Sequence, residues 1–470
     1  MKDVVVLYTW IALGHLMPMV ELAKLLSKQG MSVTVVIVDF IKNSSSFTSK
    51  TISRLSTANP TISFHVIPPA TELGEGIDHV FKIIQEANTP LLYILQSISE
   101  TCSVCAVVLD FFCTYALDVA RQLDIPAYLF HTSGAYDLAI DIYFPTLDKN
   151  LDNSIVEIGN RLLDVPGLPP IPGSHLPDHL HRRNSPVYKS FINIFQRFVQ
   201  HNGILVNTFE LFEKKAVEAL KAGLCFPGGY TPPVYCIGPL ITVPEKKEEE
   251  RHESLVWLDM QPRKSVVFLS FGSMGSFSEQ QLREIATGLE NSGQRFLWVV
   301  RSPAVTNPLR KLDPQATPDL QVILPEGFID RTKDQGMVVI QWAPQVEVLN
   351  HESVGAFVTH CGWNSILEAT MAGVPMICWP MYAEQKLNKI YLVEEMKVAV
   401  EMKGYDEDIV VAKEVEDKVK LIMESEKSKV IRERMETIRE KAVEALREGG
   451  SSHTALEDFL KAVRMDGVPC

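Results

Sequence analysis

Short apolar runs that alternate with amphipathic helical segments constrain this sequence more than any other feature. Asp3–Tyr8 (DVVVLY) and Ser32–Val38 (SVTVVIV) bracket Leu16–Gln29, in which Leu16, Met19, Val20, Ala23 and Leu26 fall on one helical stripe. A strand, a crossover helix and a second strand of this kind build a parallel sheet covered by helices. The pattern continues with strands at Ile62–Ile67, Cys105–Asp110, Pro126–Phe130, Ile204–Asn207 and Val234–Ile237, and helices at Pro90–Ser99, Thr114–Leu123 and Val187–Val199. The Pro-dense stretch Val165–Pro177 breaks it and reads as a surface loop. A second series then begins. Its strands are Val266–Ser270, Phe296–Val300, Met337–Gln341, Gly355–Thr359 and Pro375–Trp379, with helices at Glu279–Glu290 and Trp363–Met371. The helical patterns Ala412–Met423, Ser428–Glu448 and Ser452–Val463 close the chain.

At 470 residues the chain is long for one core, so two domains are expected. The mixed-sign run Glu245–Glu253 (EKKEEERHE) has no apolar period and reads as a solvated linker. The predicted fold is α/β: two facing Rossmann-like domains with a ligand cleft between them. Residues 1–240 form the first, 241–254 an acidic linker and 255–450 the second. Residues 451–470 form a C-terminal helix and tail that could pack back on the first.

A net charge of −13 without a Lys/Arg cluster argues against nucleic acid as partner. The N-terminus, MKDVVVLYTW, lacks the form of a signal peptide, and no run reaches the roughly 18 apolar residues of a spanning helix. A soluble, cytoplasmic protein with no membrane insertion is the expectation. Several of the eight cysteines sit in apolar runs, as reduced thiols do. Cys102–Cys105 has no second pair or nearby His, and Asp406–Asp408 precedes a helix where acidic caps are ordinary, so no metal is expected.

The stretch Trp342–Gln385 concentrates residues suited to a ligand. His360-Cys361-Gly362-Trp363-Asn364-Ser365 joins a strand to a helix, where unpaired N–H groups and the helix dipole can hold a diphosphate without Lys or Arg. The alternative is a plain capped helix after a core strand, with Asn364 or Ser365 as the cap. Trp342 beside Pro344 offers a stacking face, Glu368 an acceptor for a ribose diol, and Glu384 with Gln385 a grip on sugar hydroxyls. The loop Phe271–Ser276 lacks the GxGxxG spacing of a dinucleotide site. In the first half, His15 follows a strand and Asp110 ends another. An imidazole oriented by a carboxylate can take a proton from an acceptor hydroxyl, although on spacing alone a helix cap and a strand-end solvating group are the plainer explanation of the two residues.

Trp342–Gln385 resembles the C-terminal signature of the plant family 1 UDP-dependent glycosyltransferases in its opening Trp, HCGWNS, Leu367-Glu368-Ala369, GVPM and the closing Ala-Glu-Gln. The likeness extends to Gly14-His15, Asp110, Trp257-Leu258-Asp259 with Gln261-Pro262, and Ser270-Phe271-Gly272-Ser273, and so covers essentially the whole chain. The resemblance implies a GT-B fold, with the acceptor bound by the first Rossmann-like domain and the UDP-sugar by the second. It implies His15 as base and Asp110 as its partner. Trp342 would stack on uracil, with the Ala343 backbone and Gln345 contacting base or ribose and Glu368 taking the ribose hydroxyls. His360, Asn364, Ser365 and Ser273 would bind the phosphates, and Glu384 and Gln385 the sugar. Trp363 and Gln385 stand where glucose users carry them, so UDP-glucose is the expected co-substrate, with no cofactor or metal.

The implied reaction is inverting transfer to a hydroxyl of a small, phenolic or flavonoid-like acceptor by a monomeric enzyme. Transfer to carbon, nitrogen or sulfur, and a non-catalytic nucleotide-sugar binding protein, are the alternatives. Trp10-Ile11-Ala12-Leu13 is apolar where relatives carry Gln-Gly-His or a similar polar approach, and Glu384 stands where many have Asp. The acceptor is expected to meet loops at 40–51, 77–89 and 130–145 and the Pro-dense stretch, with Phe112, Phe130, Tyr136, Leu180 and Tyr188 as neighbours.

Overall fold

The computed structural model describes residues 2–40, 47–71, 74, 76–242, 251–303 and 317–466. Residues 243–250, most of the expected linker, and 41–46 of one expected acceptor loop lie outside them. The chain divides into two units, residues 1–242 with 444–470, and residues 243–443. The boundary falls inside the helix Glu426–Leu446.

In the first unit the strands are β1 (Lys2–Trp10), β2 (Ser32–Val38), β3 (Ile62–Ile67), β4 (Cys102–Asp110), β5 (Ala127–His131), the two-residue β6 (Leu162–Leu163) and β7 (Ile171–Pro172), β8 (Gly203–Val206) and β9 (Val234–Cys236). Seven of them form one sheet in the order β3-β2-β1-β4-β5-β8-β9, every pairing parallel. β6 and β7 pair antiparallel beside the prolines. Residues 4–10 of β1 are all buried, as helices on both faces of a parallel sheet require. The chain lays β2 and β3 to one side of β1 and then returns to place β4 on the other. The sheet order therefore reverses between β1 and β4, the position where open α/β sheets bind ligands.

The second unit repeats the plan with β10 (Val266–Ser270), β11 (Arg295–Val300), β12 (Gly336–Ile340), β13 (Val354–Thr359), β14 (Met376–Cys378) and β15 (Ala399–Glu401). Their order, β12-β11-β10-β13-β14-β15, is again all parallel and reverses between β10 and β13. Val267, Leu269, Ala356 and Val358 of the sheet belong to one core with Leu282, Ile285 and Leu289 of the helix Glu279–Ser292 and Val415 and Val419 of the helix Ala412–Glu424. Those helices touch closely at Gly288, where a Cβ would come 2.6 Å from that of Val415. Gly293 ends Glu279–Ser292 in the left-handed conformation that glycine adopts without strain.

Two of the expected acceptor loops contain helices instead. Ile77–Glu86 buries Val80, Phe81, Ile83 and Ile84, and Ala135–Asn150 is buried nearly all round and runs through Pro145. A helix without a polar face carries no amphipathic stripe to read, and Pro145 looks like a break. A further helix, Phe47–Ala58, begins inside the segment read as a loop at 40–51, and the short edge strand β15 was not anticipated. The C-terminal helix Ser451–Asp466 packs on β9. Its Phe459 ring lies 5.0 Å from Tyr128 and 5.8 Å from Tyr235, and Ser452 Oγ donates to the Gly238 carbonyl at 2.6 Å.

Candidate active site

The reversal point of the first sheet positions His15 and Asp110. β1 ends at Trp10 and the helix Leu13–Lys28 starts immediately, so His15 lies in its first turn and not in the preceding loop. Asp110 is the last residue of the neighbouring β4 and caps the 3₁₀ turn Phe111–Ala116, its Oδ1 accepting from Phe112 N at 3.0 Å. With Oδ1 so engaged, Oδ2 lies 2.8 Å from His15 Nδ1. The Asp110 side chain is fully buried while the imidazole remains 16% exposed. Thr132 Oγ1 stands 3.5 Å from the same Nδ1, which leaves Nε2 as the nitrogen able to meet a substrate.

Aromatic rings surround this pair. The His15 ring centroid is 4.9 Å from Trp10 and 5.1 Å from both Phe111 and Phe112. Phe112 in turn contacts Trp10 at 5.2 Å, Phe81 at 5.4 Å and Phe191 at 5.9 Å. Trp10 and Phe81 thus belong to the surroundings of His15, although sequence reasoning named neither ring as a neighbour of the acceptor. Of the acceptor-side residues it named, Phe112 is half-buried, whereas Phe130, Tyr136 and Leu180 are buried. Tyr188 is buried too, its hydroxyl donating to Asp148. On the far side of Phe111, 5.3 Å from it, lies the buried His131, whose Nε2 stands 3.4 Å from Asp141 Oδ2 and 3.6 Å from Asp137 Oδ2.

In the second unit the reversal point is bordered by the turns after β10 and β13. The first carries Gly272 and the exposed Ser273, the second His360 to Ser365. The helix Trp363–Ala372 follows with Gly362 at its N-cap and no side-chain cap bond, so neither Asn364 nor Ser365 caps it. The first N–H groups of a helix point out of its N-terminus, toward the side where the turns after β10 and β13 meet. His360 is buried, its Nδ1 has no hydrogen-bond partner, and burial pushes its pKa down to about 4, so the ring is neutral at pH 7. Gly272, at φ +71°, makes room for it. A Cβ there would come within 2.6 Å of His360 Nε2, and one at Gly362 within 2.4 Å.

The other motif residues gather around this turn. Gln345 Nε2 donates to Ser365 Oγ at 2.8 Å and to Glu368 Oε2 at 2.7 Å. Burial raises the Glu368 carboxyl to about 7, against the pull of the Gln345 amide and with help from the charge of Glu347. Trp342 is 62% exposed, Ala343 is buried, and Trp363 is only 4% exposed. Gln385 is buried, its Oε1 accepting from Met381 N at 2.8 Å and Tyr382 N at 3.0 Å, and the adjacent Glu384 accepts from Asn388 Nδ2 at 3.3 Å. Among the described residues, three of the six non-glycine residues with positive φ fall in or beside this stretch: Gln341 (67°), Cys361 (65°) and Ala383 (54°). Left-handed backbone is costly for such residues and tends to cluster where a ligand is held. Asp406, Glu407 and Asp408, by contrast, are exposed turn residues.

A family model described as UDP-glucoronosyl and UDP-glucosyl transferase matches residues 4–441. The chain belongs to this family. This UDP-glycosyltransferase is 45% identical over 469 residues to an anthocyanidin 5,3-O-glucosyltransferase of a Rosa hybrid cultivar, with 97% of each chain covered. Among solved structures it resembles a Polygonum tinctorium UDP-glucosyltransferase capable of glucosylating indoxyl, in complex with 3,4-dichloroaniline (TM-score 0.89, 34% identity, 99% of each chain). It also resembles Phytolacca americana UGT2 complexed with UDP-2-fluoro-glucose and pterostilbene (TM-score 0.86, 32% identity, 98% of this chain and 100% of that one). The glycosyltransferase is thus an enzyme with a UDP-sugar donor and a small-molecule acceptor. No helix among its described residues is long and apolar enough to cross a membrane.

One further contact escaped sequence reasoning. His252, assigned to the charged linker, caps the helix Glu253–Asp259 and sets its ring 5.5 Å from that of Trp342. Its only sequence signal is the position just before a helix.

Proposed function

We propose that this glycosyltransferase moves glucose from UDP-glucose to a hydroxyl of a small aromatic acceptor, phenolic or flavonoid-like, with inversion to a β-O-glucoside. The observation that carries the reading is the 2.8 Å contact between His15 Nδ1 and Asp110 Oδ2 within a cluster of aromatic rings. Asp110 fixes the tautomer and stabilises the imidazolium. His15 Nε2 takes the acceptor proton as its oxygen bonds to the anomeric carbon, and the bond from that carbon to the diphosphate oxygen breaks to release UDP. The rings around His15 favour a flat apolar acceptor.

For the donor, Trp342 stacks on uracil, the Ala343 backbone and Gln345 contact base or ribose, and Glu368 accepts from the ribose diol. The uncapped end of Trp363–Ala372, with His360, Asn364, Ser365 and Ser273, receives the diphosphate. Neutral donors and helix-end N–H groups do this without a metal. Glu384 and the Gln385 amide meet the sugar, and Trp363, buried at the helix start, shapes that end of the pocket. The likeness to an O-glucosyltransferase of anthocyanidins and to a structure holding UDP-2-fluoro-glucose supports the donor and acceptor classes. A monomer in the cytoplasm is the reading, and the free, mostly buried cysteines among the described residues fit that compartment's reducing conditions.

The test is incubation with UDP-glucose and a panel of flavonoids, chalcones, simple phenols and terpenols, reading UDP release and the anomeric coupling constant of the product. No UDP release with any of them would sink the reading. Transfer to nitrogen is the second reading, because the Polygonum tinctorium relative was solved with an aromatic amine bound. An aminophenol added to the panel separates the two: an N-glucoside hydrolyses in mild acid that leaves a phenolic O-glucoside intact.

A further inference from the structure

We propose that His252 is a positioning residue for the donor: its ring holds the exposed indole of Trp342 at the orientation in which it receives uracil. This rests on the reading of Trp342 as the base-stacking face. Trp342 follows β12 through a tight turn. Its N–H donates to the Ile340 carbonyl two residues back at 2.8 Å, and Gln341 between them has φ +67°. The turn throws the side chain outward, where it is 62% exposed. An indole so exposed loses rotamer freedom when a base stacks on it, and a neighbour that already restricts it removes part of that cost.

His252 has the geometry for this. The two rings meet at 83° with centroids 5.5 Å apart, the edge-to-face arrangement that aromatic pairs favour. Whichever of the two rings supplies the edge, at least one broad face of the indole stays clear of this contact. His252 is itself held, its Nδ1 accepting from Ser254 N at 3.2 Å and standing 2.8 Å from Ser254 Oγ, with Ser254 fully buried. One imidazole thus links the start of the helix Glu253–Asp259 to the stacking face.

Two substitutions separate the cap from the ring contact. His252→Asn keeps a capping side chain and removes the ring, whereas His252→Phe keeps a ring and removes the cap. Positioning through the ring predicts that His252→Asn raises the UDP-glucose KM roughly two- to tenfold, the worth of an aromatic pair, while His252→Phe stays within about twofold of wild type. The acceptor KM, and kcat at saturating donor, stay unchanged in both. Trp342→Ala is the reference. If it leaves the donor KM unchanged, the stacking reading itself fails. If Trp342→Ala raises the donor KM but His252→Asn does not, or if His252→Phe is as impaired as His252→Asn, the stacking reading stands and the positioning role is overturned.

Discussion

Nδ1 of His15 lies 2.8 Å from Oδ2 of Asp110, although ninety-five residues separate them in the chain. The pairing follows from sheet order. β1 and β4 are hydrogen-bonded neighbours, Tyr8 standing opposite Leu109, so the residues that follow their carboxyl ends emerge side by side. The carboxylate is spent on both oxygens, one on Phe112 N and one on the imidazole, and is fully buried.

Removing either partner should therefore stop chemistry and spare donor binding. His15→Ala and Asp110→Asn are expected to lower kcat on the order of 10²–10⁴-fold, the usual worth of a positioned base. The Kd of UDP, measured by calorimetry, should stay close to wild type, because the proposed nucleotide contacts all belong to the second unit. Full turnover by His15→Ala would remove the base from the mechanism.

Donor binding should depend on pH through Glu368. Its carboxyl is raised from an ordinary value near 4.5 to about 7, chiefly by burial. The native state then holds a proton that the unfolded chain has lost between those values, so this residue's contribution to stability falls as pH rises from about 4.5 through 7. Binding runs the other way, since a ribose diol needs the ionised acceptor. UDP-glucose affinity, measured without acceptor, should rise with pH and level off above about 7, weakening up to about tenfold per unit below it. Glu368→Gln should flatten the profile, and a flat wild-type profile would discard the assignment.

Gly272→Ala should be costly for its size. The position has φ +71°, and a Cβ would press on His360 Nε2 at 2.6 Å. Strain and displacement together are expected to cost about 1–3 kcal/mol, seen as a melting temperature lower by several degrees, with a raised UDP-glucose KM as His360 shifts. An unchanged melting temperature would mean that the turn relaxes freely.

Phe112→Ala should act on the acceptor alone. Its ring touches Trp10, His15, Phe81 and Phe191, and it is half-buried. The acceptor KM for a flat phenol is expected to rise roughly tenfold, with the UDP-glucose KM unchanged. An equal rise in both constants would point to a general loss of fold.

Features confined to neighbouring residues were legible in the sequence. The HCGWNS turn could be placed between a strand and a helix because its residues are contiguous, and the apolar runs from Asp3 and from Val266 correspond to β1 and β10. The helix Ala135–Asn150 was missed because burial on all sides removes the stripe that marks a helix. His252 was lost in a charge run, where nothing local shows a ring meeting Trp342. Trp10 and Phe81 could not be linked to His15, since ring contacts depend on which elements become neighbours.

The sequence by itself determined the two alternating α/β series and the strand–turn–helix order around HCGWNS, because strand and helix periods and turn residues are local properties of the chain. Only the tertiary structure decided that the sheets reverse between β1 and β4 and between β10 and β13. That order brings Asp110 to His15, seats His360 against Gly272 and accompanies the burial that lifts the Glu368 carboxyl to about 7. Each is a distance or a degree of burial between residues far apart in the chain, and such quantities exist only once the strands have taken their order.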